Sequence, residues 1–480
     1  MTAAQMQEHE RKVIEAGLSA EVLMERAAMG IAAAVRETFP QPGTLVCFCG
    51  CGNNGGDALA VGAILKKYGW RVRTRLACDG NELRGLPRKH WIALGEPEWD
   101  GFHWRGPLVL LDGLVGIGSR GQLRAPLDAM AEEMNALRIS HHASTFAIDL
   151  PSGLNPDTGQ PTAICVIADV TATIAVPKSG LVSDSAVANV GRLMVVPVEG
   201  LEWNGESNAE VMTPRLLLPL LPKRSFAMHK GEAGRLLIIA GSKCLAGAAS
   251  LACAGAIGAG AGLIKLICDS ARDVPVEVMM ADSDDWCAEA AAADAVVIGP
   301  GLGDSHDAKV ERLVAECKRP MVIDADALNA LSRRGLDALH RSSAPRLLTP
   351  HPGEMRRLYP GEGDRRTWAE SFAGEFSGHT ILLKGARTVM ATKDRPTRFN
   401  TTGNAGMACG GMGDVLSGVL GALLAQNVPL HDAAALGSWV LGRAAEAAIS
   451  SGQHSQESLS AGIVAAYLGR AWNLLRESPY

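Results

Sequence analysis

The sequence predicts an α/β protein with two domains, each built on a parallel β-sheet covered by helices. Short apolar runs alternate with amphipathic helical patterns along most of the chain, which is typical of strands joined by crossover helices. The 480 residues exceed what one hydrophobic core usually supports. With 47% hydrophobic and 20% charged residues, the composition is that of a globular protein with a large core.

The predicted strands fall into two series. The first series lies at residues 45–48, 72–76, 108–111, 146–148 and 194–196. The second series lies at residues 236–239, 295–298, 321–323, 346–348 and 381–383. Residues 202–225 between them are rich in Asn, Gly, Pro and charge, as linkers usually are. We therefore expect one domain at residues 1–207 and another at residues 208–480.

The charge and the polarity of the chain restrict the partners that we expect. The formal net charge is -5 and no long basic run is present, so a nucleic acid is not an expected partner. The N-terminal residues lack the apolar core of a secretion signal, which favours a cytoplasmic protein. Residues 244–264 are uncharged but rich in Ala and Gly, which favours a helix packed on a sheet over a membrane span. We also expect a homo-oligomer.

The eleven cysteines are spread irregularly, and we expect reduced thiols that pack as small hydrophobes. Cys47, Cys49 and Cys51 have the alternate spacing of one face of a strand that runs into a loop. A metal site would also fit three cysteines, but no histidine or fourth cysteine lies nearby. The strand is therefore the favoured interpretation.

A glycine-rich loop follows the first predicted strand. Residues 50–57 read GCGNNGGD and lead directly into a helical pattern. A strand, a glycine-rich turn and a helix N-terminus together make an anion site, since exposed N–H groups and the positive end of the helix dipole converge there. The loop could also be only a tight turn, but its two asparagines and its aspartate favour a ligand site.

Two later strands of the first half end in the acids Asp112 and Asp149. Because ligands of open parallel sheets sit beyond the carboxyl ends of the strands, both acids are expected in one crevice. A second glycine-containing loop, residues 116–121, follows Asp112. The oxygen donors of Asn54, Asp112 and Ser152 would suit an alkali or alkaline-earth cation.

These motifs give the first half a specific family resemblance. GNNGGD, a strand that ends in Asp before GxG, and DLPSGL together resemble the Rossmann-like epimerase domain of NAD(P)H-hydrate repair enzymes. The resemblance implies substrate binding by Asn53, Asn54, Gly55, Gly56, Asp57, Gly116, Ile117, Gly118, Ser119, Arg120, Gly121, Gln122 and Asp149. It implies a potassium ion held by Asn54, Asp112 and Ser152, and Asp149 as the acid/base. Ala58 departs from the usual glycine, and its methyl group is expected to narrow the approach.

The second half carries its own glycine-rich loop, GNAGMACGGMGD at residues 403–414, before a helical pattern. Phosphoryl transfer needs such a cradle together with a carboxylate that takes the proton of the attacking hydroxyl. Asp414 stands where that base would be, although it could simply cap the helix. The loops GPGLG, TPHPGE and KGART also fall at predicted strand ends, which would gather them along one edge of the sheet.

This half resembles the ribokinase-like superfamily and, through HKGEAGRLLIIAGS, DADALN and LTPHPGEM, the dehydratase of NAD(P)H-hydrate repair. The resemblance implies nucleotide binding by Lys384, Gly385, Ala386, Arg387, Thr388 and Gly413. It implies that Ala256, Gly303, His351 and Asp414 contact the hydrated substrate. Asp324 and Asp326 are expected to cap the following helix and are left outside the site. Met412 replaces the usual Ser or Thr, which is expected to remove one phosphate hydrogen bond.

The resemblance implies a repair reaction in two steps. The first half would interconvert the R and S hydrates of NADH and NADPH with the help of K⁺. In the second half ADP, with Mg²⁺, would phosphorylate the hydroxyl of the S hydrate, so that phosphate leaves and NAD(P)H and AMP remain. The sequence gives no physical reason to exclude ATP as the phosphoryl donor. Two alternatives are a first half that only binds or scaffolds, and a second half that is an ordinary vitamin-precursor kinase.

Overall fold

The computed structural model describes residues 1–95, 104–118, 121–270 and 272–477. Within the described residues, the chain divides into two compact units, unit 1 at Met1–Glu206 and unit 2 at residues 207–477. Each unit is an α/β structure built on its own sheet, as the alternating pattern predicts. All ten predicted strands are found as strands.

Unit 1 contains a six-stranded, entirely parallel sheet. Its strands are β1 (Thr44–Cys49), β2 (Arg71–Leu76), β3 (Leu108–Gly113), β4 (Ser144–Ile148), β5 (Val170–Ile174) and β6 (Arg192–Val196). They lie in the order β2-β1-β3-β4-β5-β6. The helices are α1 (Ala3–Glu15), α2 (Ala20–Thr38), α3 (Asn53–Lys67), α4 (Gly85–Leu94), α5 (Leu127–His141) and α6 (Val187–Val190).

Strand β1 shows why the sheet of unit 1 is apolar on both faces. Leu45, Cys47 and Cys49 pack into one core cluster with helices α2, α3 and α4. Val46 and Phe48 point the other way, into a cluster that includes α5. Because successive side chains of a strand alternate between faces, a sheet covered twice needs a continuous apolar run.

The expectation of reduced thiols is wrong for two cysteines. Cys51 and Cys78 form a disulfide, with 6.4 Å between their Cα atoms. The parallel register pairs Cys49 of β1 with Leu76 of β2. Cys51 lies two residues after Cys49, and Cys78 lies two residues after Leu76. The two segments that follow β1 and β2 therefore leave the sheet side by side. The other nine cysteines are free thiols.

Unit 2 contains a ten-stranded mixed sheet. Its strands are β7 (Ala209–Val211), β8 (Arg235–Ile239), β9 (Leu263–Ile267), β10 (Met279–Met280), β11 (Ala295–Ile298), β12 (Met321–Ile323), β13 (Arg346–Leu348), β14 (Thr380–Leu383), β15 (Thr388–Thr392) and β16 (Thr397–Asn400). The order is β10-β9-β8-β11-β12-β13-β14-β15-β16-β7. The β14–β15 and β15–β16 pairs are antiparallel, which the prediction of a purely parallel sheet did not include.

The helices of unit 2 begin with α7 (Pro214–Leu217), α8 (Ala246–Gly258), α9 (Trp286–Ala291), α10 (Asp307–Glu316), α11 (Ala325–Arg334) and α12 (Asp337–Arg341). They continue with α13 (Pro352–Leu358), α14 (Arg365–Glu375), α15 (Met412–Ala425), α16 (Leu430–Ser450), α17 (Ala461–Ala466) and α18 (Leu468–Glu477). Helices α15 and α16 are the most deeply buried and supply much of the main core.

The uncharged stretch at residues 244–264 forms α8 and the start of β9, as predicted. A Cβ atom on Gly255 of α8 would lie 2.2 Å from the carbonyl oxygen of Val415 in α15. One on Gly418 of α15 would lie 1.9 Å from the carbonyl oxygen of Ala252. These two glycines therefore let the backbones of α8 and α15 touch. Over the described residues, no helix combines the length and the apolarity that crossing a membrane requires.

Candidate active sites

The glycine-rich loop of unit 1 lies where the strand order reverses. Strands β1 and β3 are neighbours although β2 separates them in sequence, and ligands of open α/β sheets bind at such a point. A Cβ atom on Gly50 would lie 1.9 Å from the carbonyl oxygen of Leu114, so this position requires glycine. No side chain caps α3 at Gly52, which leaves its first N–H groups to a ligand.

A cavity of about 990 Å³ opens at this point of unit 1. The predicted substrate-binding residues that line it are Asn53, Asn54, Asp57, Gly116, Ile117, Gly118 and Asp149. Gly55 and Gly56 are buried in the first turn of α3, and Gly121 and Gln122 are exposed outside the lining. Ser119 and Arg120 lie outside the described residues. Ala58 is fully buried against Gly113 and does not line the cavity.

The three predicted cation ligands meet at the end of β3. Ser152 donates its hydroxyl proton to Asp112 Oδ1 at 2.6 Å, and its N–H donates to Asp112 Oδ2 at 2.8 Å. The side-chain amide of Asn54 donates to the carbonyl oxygen of Val115 at 3.0 Å. The N–H of Val115 donates to Ser152 Oγ at 3.1 Å. Amide, carboxylate, hydroxyl and carbonyl oxygens thus gather around one short loop.

Asp112 is a buried acid with neutral partners. It is fully buried, and its hydrogen bonds within the described residues come from Ser152 and the N–H of Leu114. Burial raises the pKa of Asp112 to about 6, although the hydrogen bonds from Ser152 and Leu114 act in the opposite direction. A buried carboxylate is costly without a compensating positive charge, which an alkali cation would supply.

Asp149 is held by a lysine that the sequence prediction missed. Its backbone adopts a left-handed conformation (φ 65°) directly after the end of β4 at Ile148. Asp149 Oδ1 accepts bonds from Lys178 Nζ, from Thr173 Oγ1 at 3.2 Å and from the N–H of Ile174 at 3.0 Å. Lys178 is 1% exposed. The motif VPKSGL contains this lysine, but the sequence alone does not indicate which acid it faces.

Two further carboxyl groups face the same cavity. Burial raises the pKa of Asp57 well above its usual range, and the negative charges of Asp149 and Glu10 add to the effect. Burial and Asp149 likewise raise the pKa of Glu10 in α1, while Lys178 lowers it. Glu10 is a second residue that the sequence prediction missed. The cavity therefore holds two further carboxyl groups with raised pKa beside the Asp149–Lys178 pair.

In unit 2 the second glycine-rich loop ends at α15. Gly411 (φ 91°) takes the position before the helix, and no side-chain hydrogen bond caps it. Asp414 lies in the first turn. Burial raises the pKa of Asp414 to about 7; Asp324 and Asp326 also raise it, whereas Lys384 lowers it. A group that exchanges protons near neutral pH meets the requirement for a general base.

Lys384, at the end of β14, lies beside this loop. Its ammonium nitrogen is 2.8 Å from Asp324 Oδ1 and 3.9 Å from Glu354 Oε2. Asp324 Oδ2 also accepts the hydroxyl proton of Ser417 at 2.7 Å. The expectation that Asp324 caps α11 is wrong, because its side chain makes no capping bond there.

The remaining predicted substrate-binding residues of unit 2 are His351, Gly303 and Ala256. His351 caps α13 by accepting bonds at Nδ1 from Gly353 and Glu354. The N–H of Gly303 donates to Asp326 Oδ2 at 2.8 Å. Ala256 is fully buried in α8, among the core residues that include α15.

The loop between β14 and β15 carries the predicted nucleotide-binding residues. Gly385 and Ala386 are exposed and Arg387 is buried. The hydroxyl of Thr388 donates to the carbonyl oxygen of Gly385 at 3.1 Å. Gly413 allows Lys384 to approach α15, since a Cβ atom there would lie 3.2 Å from Lys384 Nζ. The side chain of Met412 is buried and packs into the main core cluster of unit 2.

Comparisons with known proteins agree with both halves. A family model described as NAD(P)H-hydrate dehydratase matches residues 236–463, and one described as YjeF-related protein N-terminus matches residues 20–180. The bifunctional NAD(P)H-hydrate repair enzyme of Coxiella burnetii is 33% identical over 93% of this chain and 94% of its own length. The chain belongs to the family of bifunctional NAD(P)H-hydrate repair enzymes.

Other members of this family are similarly related. The enzyme of Moorella thermoacetica is 34% identical over 96% of this chain and 94% of its own, and that of Escherichia coli is 35% identical over 90% and 85%. A crystal structure of ADP/ATP-dependent NAD(P)H-hydrate dehydratase from Bacillus subtilis is 30% identical and covers 56% of this chain and all of its own, with a TM-score of 0.49. The family resemblance expected from the sequence is confirmed, and the chain is an enzyme.

Proposed function

We propose that the chain repairs hydrated NADH and NADPH in two steps. Unit 1 interconverts the R and S hydrates, and unit 2 dehydrates the S hydrate with ADP, giving AMP and phosphate. The observation that carries the proposal is that each unit holds an acid–lysine ion pair, Asp149–Lys178 or Asp324–Lys384, near the uncapped start of a helix that follows a glycine-rich loop. Support for both activities in one chain comes from bifunctional relatives that align with both halves.

In unit 1, Asp149 exchanges the proton that the epimerisation needs. The hydroxyl group leaves as water after protonation, the ring nitrogen stabilises the resulting cation, and water then adds to the opposite face. Within the described residues the hydrogen bonds to Asp149 all end on Oδ1, so Oδ2 is the oxygen left to face the substrate. Lys178 keeps the carboxylate oriented, because its ammonium group is buried against Oδ1.

The potassium ion proposed for unit 1 would be held by Asn54, Asp112 and Ser152. The donor set fits, since these oxygens are hard ligands and Asp112 supplies one buried negative charge without a cationic partner among the described residues. When bound, the cation would neutralise that charge and stiffen the loop at Gly116–Gly118. The loop could then hold the nucleotide in one position.

In unit 2, Asp414 takes the proton of the substrate hydroxyl. The oxygen attacks the terminal phosphorus of ADP, and AMP leaves. Phosphate then departs from the nicotinamide carbon as the adjacent carbon loses a proton and the ring double bond re-forms. Lys384 and the N–H groups at the start of α15 stabilise the negative charge on the transferred group.

Magnesium fits unit 2 as a partner of the nucleotide. Among the described residues, no group of three or more His, Cys, Asp or Glu side chains forms a ready metal site. Mg²⁺ usually binds through one or two carboxylates together with substrate phosphates and water. Glu354 and Asp326 offer such carboxylates near Lys384 and Asp414, so the ion would arrive with the nucleotide and shield its phosphates.

The vitamin-precursor kinase with a scaffolding first half receives less support. Three relatives named as bifunctional NAD(P)H-hydrate repair enzymes align over 90% or more of this chain. Unit 1 also contains the Asp149–Lys178 ion pair and the hydrogen bond from Ser152 to Asp112. A domain that only scaffolds would not need the buried Asp149–Lys178 pair.

The proposal is tested with the purified chain, separated R and S hydrates of NADH, KCl, MgCl₂ and ADP, by following the absorbance of reduced nicotinamide. We expect unit 2 to convert the S hydrate to NADH in the presence of ADP. We expect the R hydrate to be consumed as well, after unit 1 has converted it to the S hydrate. A chain that consumes S but leaves R untouched would retain only the dehydratase half. A chain that consumes neither hydrate but phosphorylates a vitamin precursor would support the kinase alternative.

A further inference from the structure

Three side chains from three separate elements of unit 2 meet in one buried cluster. Asp324 follows β12, Lys384 follows β14 and Ser417 lies in α15. Asp324 Oδ1 is 2.8 Å from Lys384 Nζ, and Asp324 Oδ2 is 2.7 Å from Ser417 Oγ. We call these three residues the Asp324 cluster.

Both carboxylate oxygens of Asp324 are used in this cluster. The side chain is 1% exposed and makes no bond to the N-terminal N–H groups of α11, whose first residue is Ala325. A buried ion pair adds little stability when compared with apolar residues of the same volume. Helix capping and stability therefore do not explain why an aspartate stands here, whereas control of Lys384 does.

We propose that Asp324 is a positioning residue of the dehydratase reaction, which directs the Lys384 ammonium group to the nucleotide phosphates and fixes its distance from Asp414. This inference rests on the proposed function of unit 2. One N–H of the ammonium group points to Asp324, which leaves the other two for phosphate oxygens. The bond from Ser417 holds Asp324 against the helix that carries Asp414.

The charges that act on Lys384 and Asp414 support the same role for Asp324. Burial favours the neutral form of Lys384, yet its pKa is raised because Asp324, and then Glu354 and Asp414, face it. For Asp414, Asp324 raises the pKa and Lys384 lowers it. Removing the charge of Asp324 therefore lowers the pKa of Asp414 in two ways: it deletes a repelling charge and leaves the lysine charge uncompensated.

The neighbouring acids do not share this position. Asp326 accepts a bond from the N–H of Gly303, and Glu354 accepts one from the N–H of His351. Glu354 is 3.9 Å from Lys384 Nζ, which is beyond hydrogen-bond distance. Asp324 is the acid that joins Lys384 to α15.

The test compares Asp324→Asn with the wild-type chain. Two quantities are measured: the Kd for ADP with MgCl₂, by calorimetry without hydrate, and the pH profile of S-hydrate dehydration. We expect ADP to bind about tenfold more weakly, and the acid limb of the profile to move down by about one pH unit. Asp432→Asn is the matched control, because it removes a buried aspartate from its ion pair with Arg398.

Unchanged ADP binding and an unchanged pH profile in Asp324→Asn would overturn the proposal. Equal changes in Asp432→Asn would also overturn it, because the effect would then come from general loss of stability. Absence of S-hydrate dehydration in the wild-type chain would instead contradict the proposed function, while ADP binding would still report on Asp324.

A double-mutant cycle shows whether Asp324 acts through the lysine. If it does, Asp324→Asn adds nothing to the loss of ADP binding in Lys384→Gln, whereas additive losses would contradict the proposal. Should Asp324→Asn fail to fold, Ser417→Ala keeps both charges and removes only the bond to α15. We then expect ADP binding to weaken about threefold, and an unchanged Kd in Ser417→Ala would count against the proposal.

Discussion

The two units use similar scaffolds and control their acids in different ways. In each, a glycine-rich loop leads into an uncapped helix start near the end of a parallel strand. Asp149 of unit 1 follows a strand directly and is fixed by the buried ammonium group of Lys178. Asp414 of unit 2 lies on the helix itself, where burial raises its pKa to about 7. The glycine-rich loop before an uncapped helix is therefore common to both units, whereas the surroundings of the acid differ.

The largest expected effect comes from a substitution of Asp414, which should affect unit 2 and not unit 1. Asp414→Asn should slow ADP-dependent dehydration of the S hydrate about 1,000-fold, because a general base usually contributes 10² to 10⁴. Exchange between the R and S hydrates should continue, since it belongs to unit 1. Stopped assays with separated hydrates measure both rates. Asp307→Asn, which changes another first-turn aspartate, is the control; dehydration near the wild-type rate in Asp414→Asn would remove the base assignment.

The converse change is Asp149→Asn. It should slow R/S exchange at least about 100-fold and leave dehydration of S intact, because the proton-exchanging oxygen is lost. Chromatography of the two hydrates measures the exchange, and the dehydratase activity of the same chain reports that it is folded. Asp169→Asn removes another ion-paired aspartate of unit 1 and should exchange normally. Unchanged exchange in Asp149→Asn would place the epimerase acid elsewhere.

Potassium should act on unit 1 only. At about 100 times its Kd, K⁺ should add about 2.7 kcal/mol to the stability of unit 1 through binding to the native state. Binding should weaken below about pH 6, because protonation of Asp112 then competes with the cation. Thermal melts in KCl and in LiCl of equal ionic strength measure the difference. Equal melting in both salts, or a K⁺ effect that survives in Asp112→Asn, would contradict the site.

Unit 2 departs from the family pattern at Met412. Met412 is buried in the core of unit 2, so Met412→Thr should lower the free energy of unfolding by about 2 kcal/mol without improving ADP binding. Urea melts and calorimetry measure the two quantities. Tighter ADP binding in Met412→Thr would show that a hydroxyl at this position reaches the phosphates after all.

The dehydratase activity of unit 2 should also fall as the pH is lowered. Asp414 must be ionised to accept a proton, and its pKa of about 7 means that it becomes protonated as the pH falls below neutral. The dehydration rate should therefore fall about tenfold for each pH unit well below 7. Initial rates with S hydrate and saturating ADP between pH 5 and about 9 measure the profile. A rate that is constant down to pH 5 would indicate a base with an ordinary aspartate pKa.

The sequence predicted the parts of the fold that depend on local pattern. Apolar runs marked the strands, and parallel strands bring their carboxyl ends to one edge, so Asp112 and Asp149 could be placed beside the glycine-rich loop in advance. The contacts of Lys178 with Asp149 and of Asp324 with Lys384 were not predicted, because the partners lie 29 and 60 residues apart in the chain. Such pairs depend on side-chain directions after folding, which no local pattern encodes.

One other miss has a similar physical cause. The Cys51–Cys78 disulfide depends on the register between β1 and β2, which strand prediction does not provide. The expected loss of a phosphate hydrogen bond at Met412 stays a prediction, and its side chain packs into the core of unit 2. The cytoplasmic location and the homo-oligomer stay predictions.

The close contact between α8 and α15 limits how this sequence can change over generations. Gly255 and Gly418 touch no ligand in the proposed reaction, yet either gains a clash with neighbouring backbone if it acquires a side chain. Such a clash can be relieved only by moving one helix, and α15 carries Asp414. The proposed base Asp414 is therefore inherited together with two remote glycines, whose loss would misplace it while its own codon stayed intact.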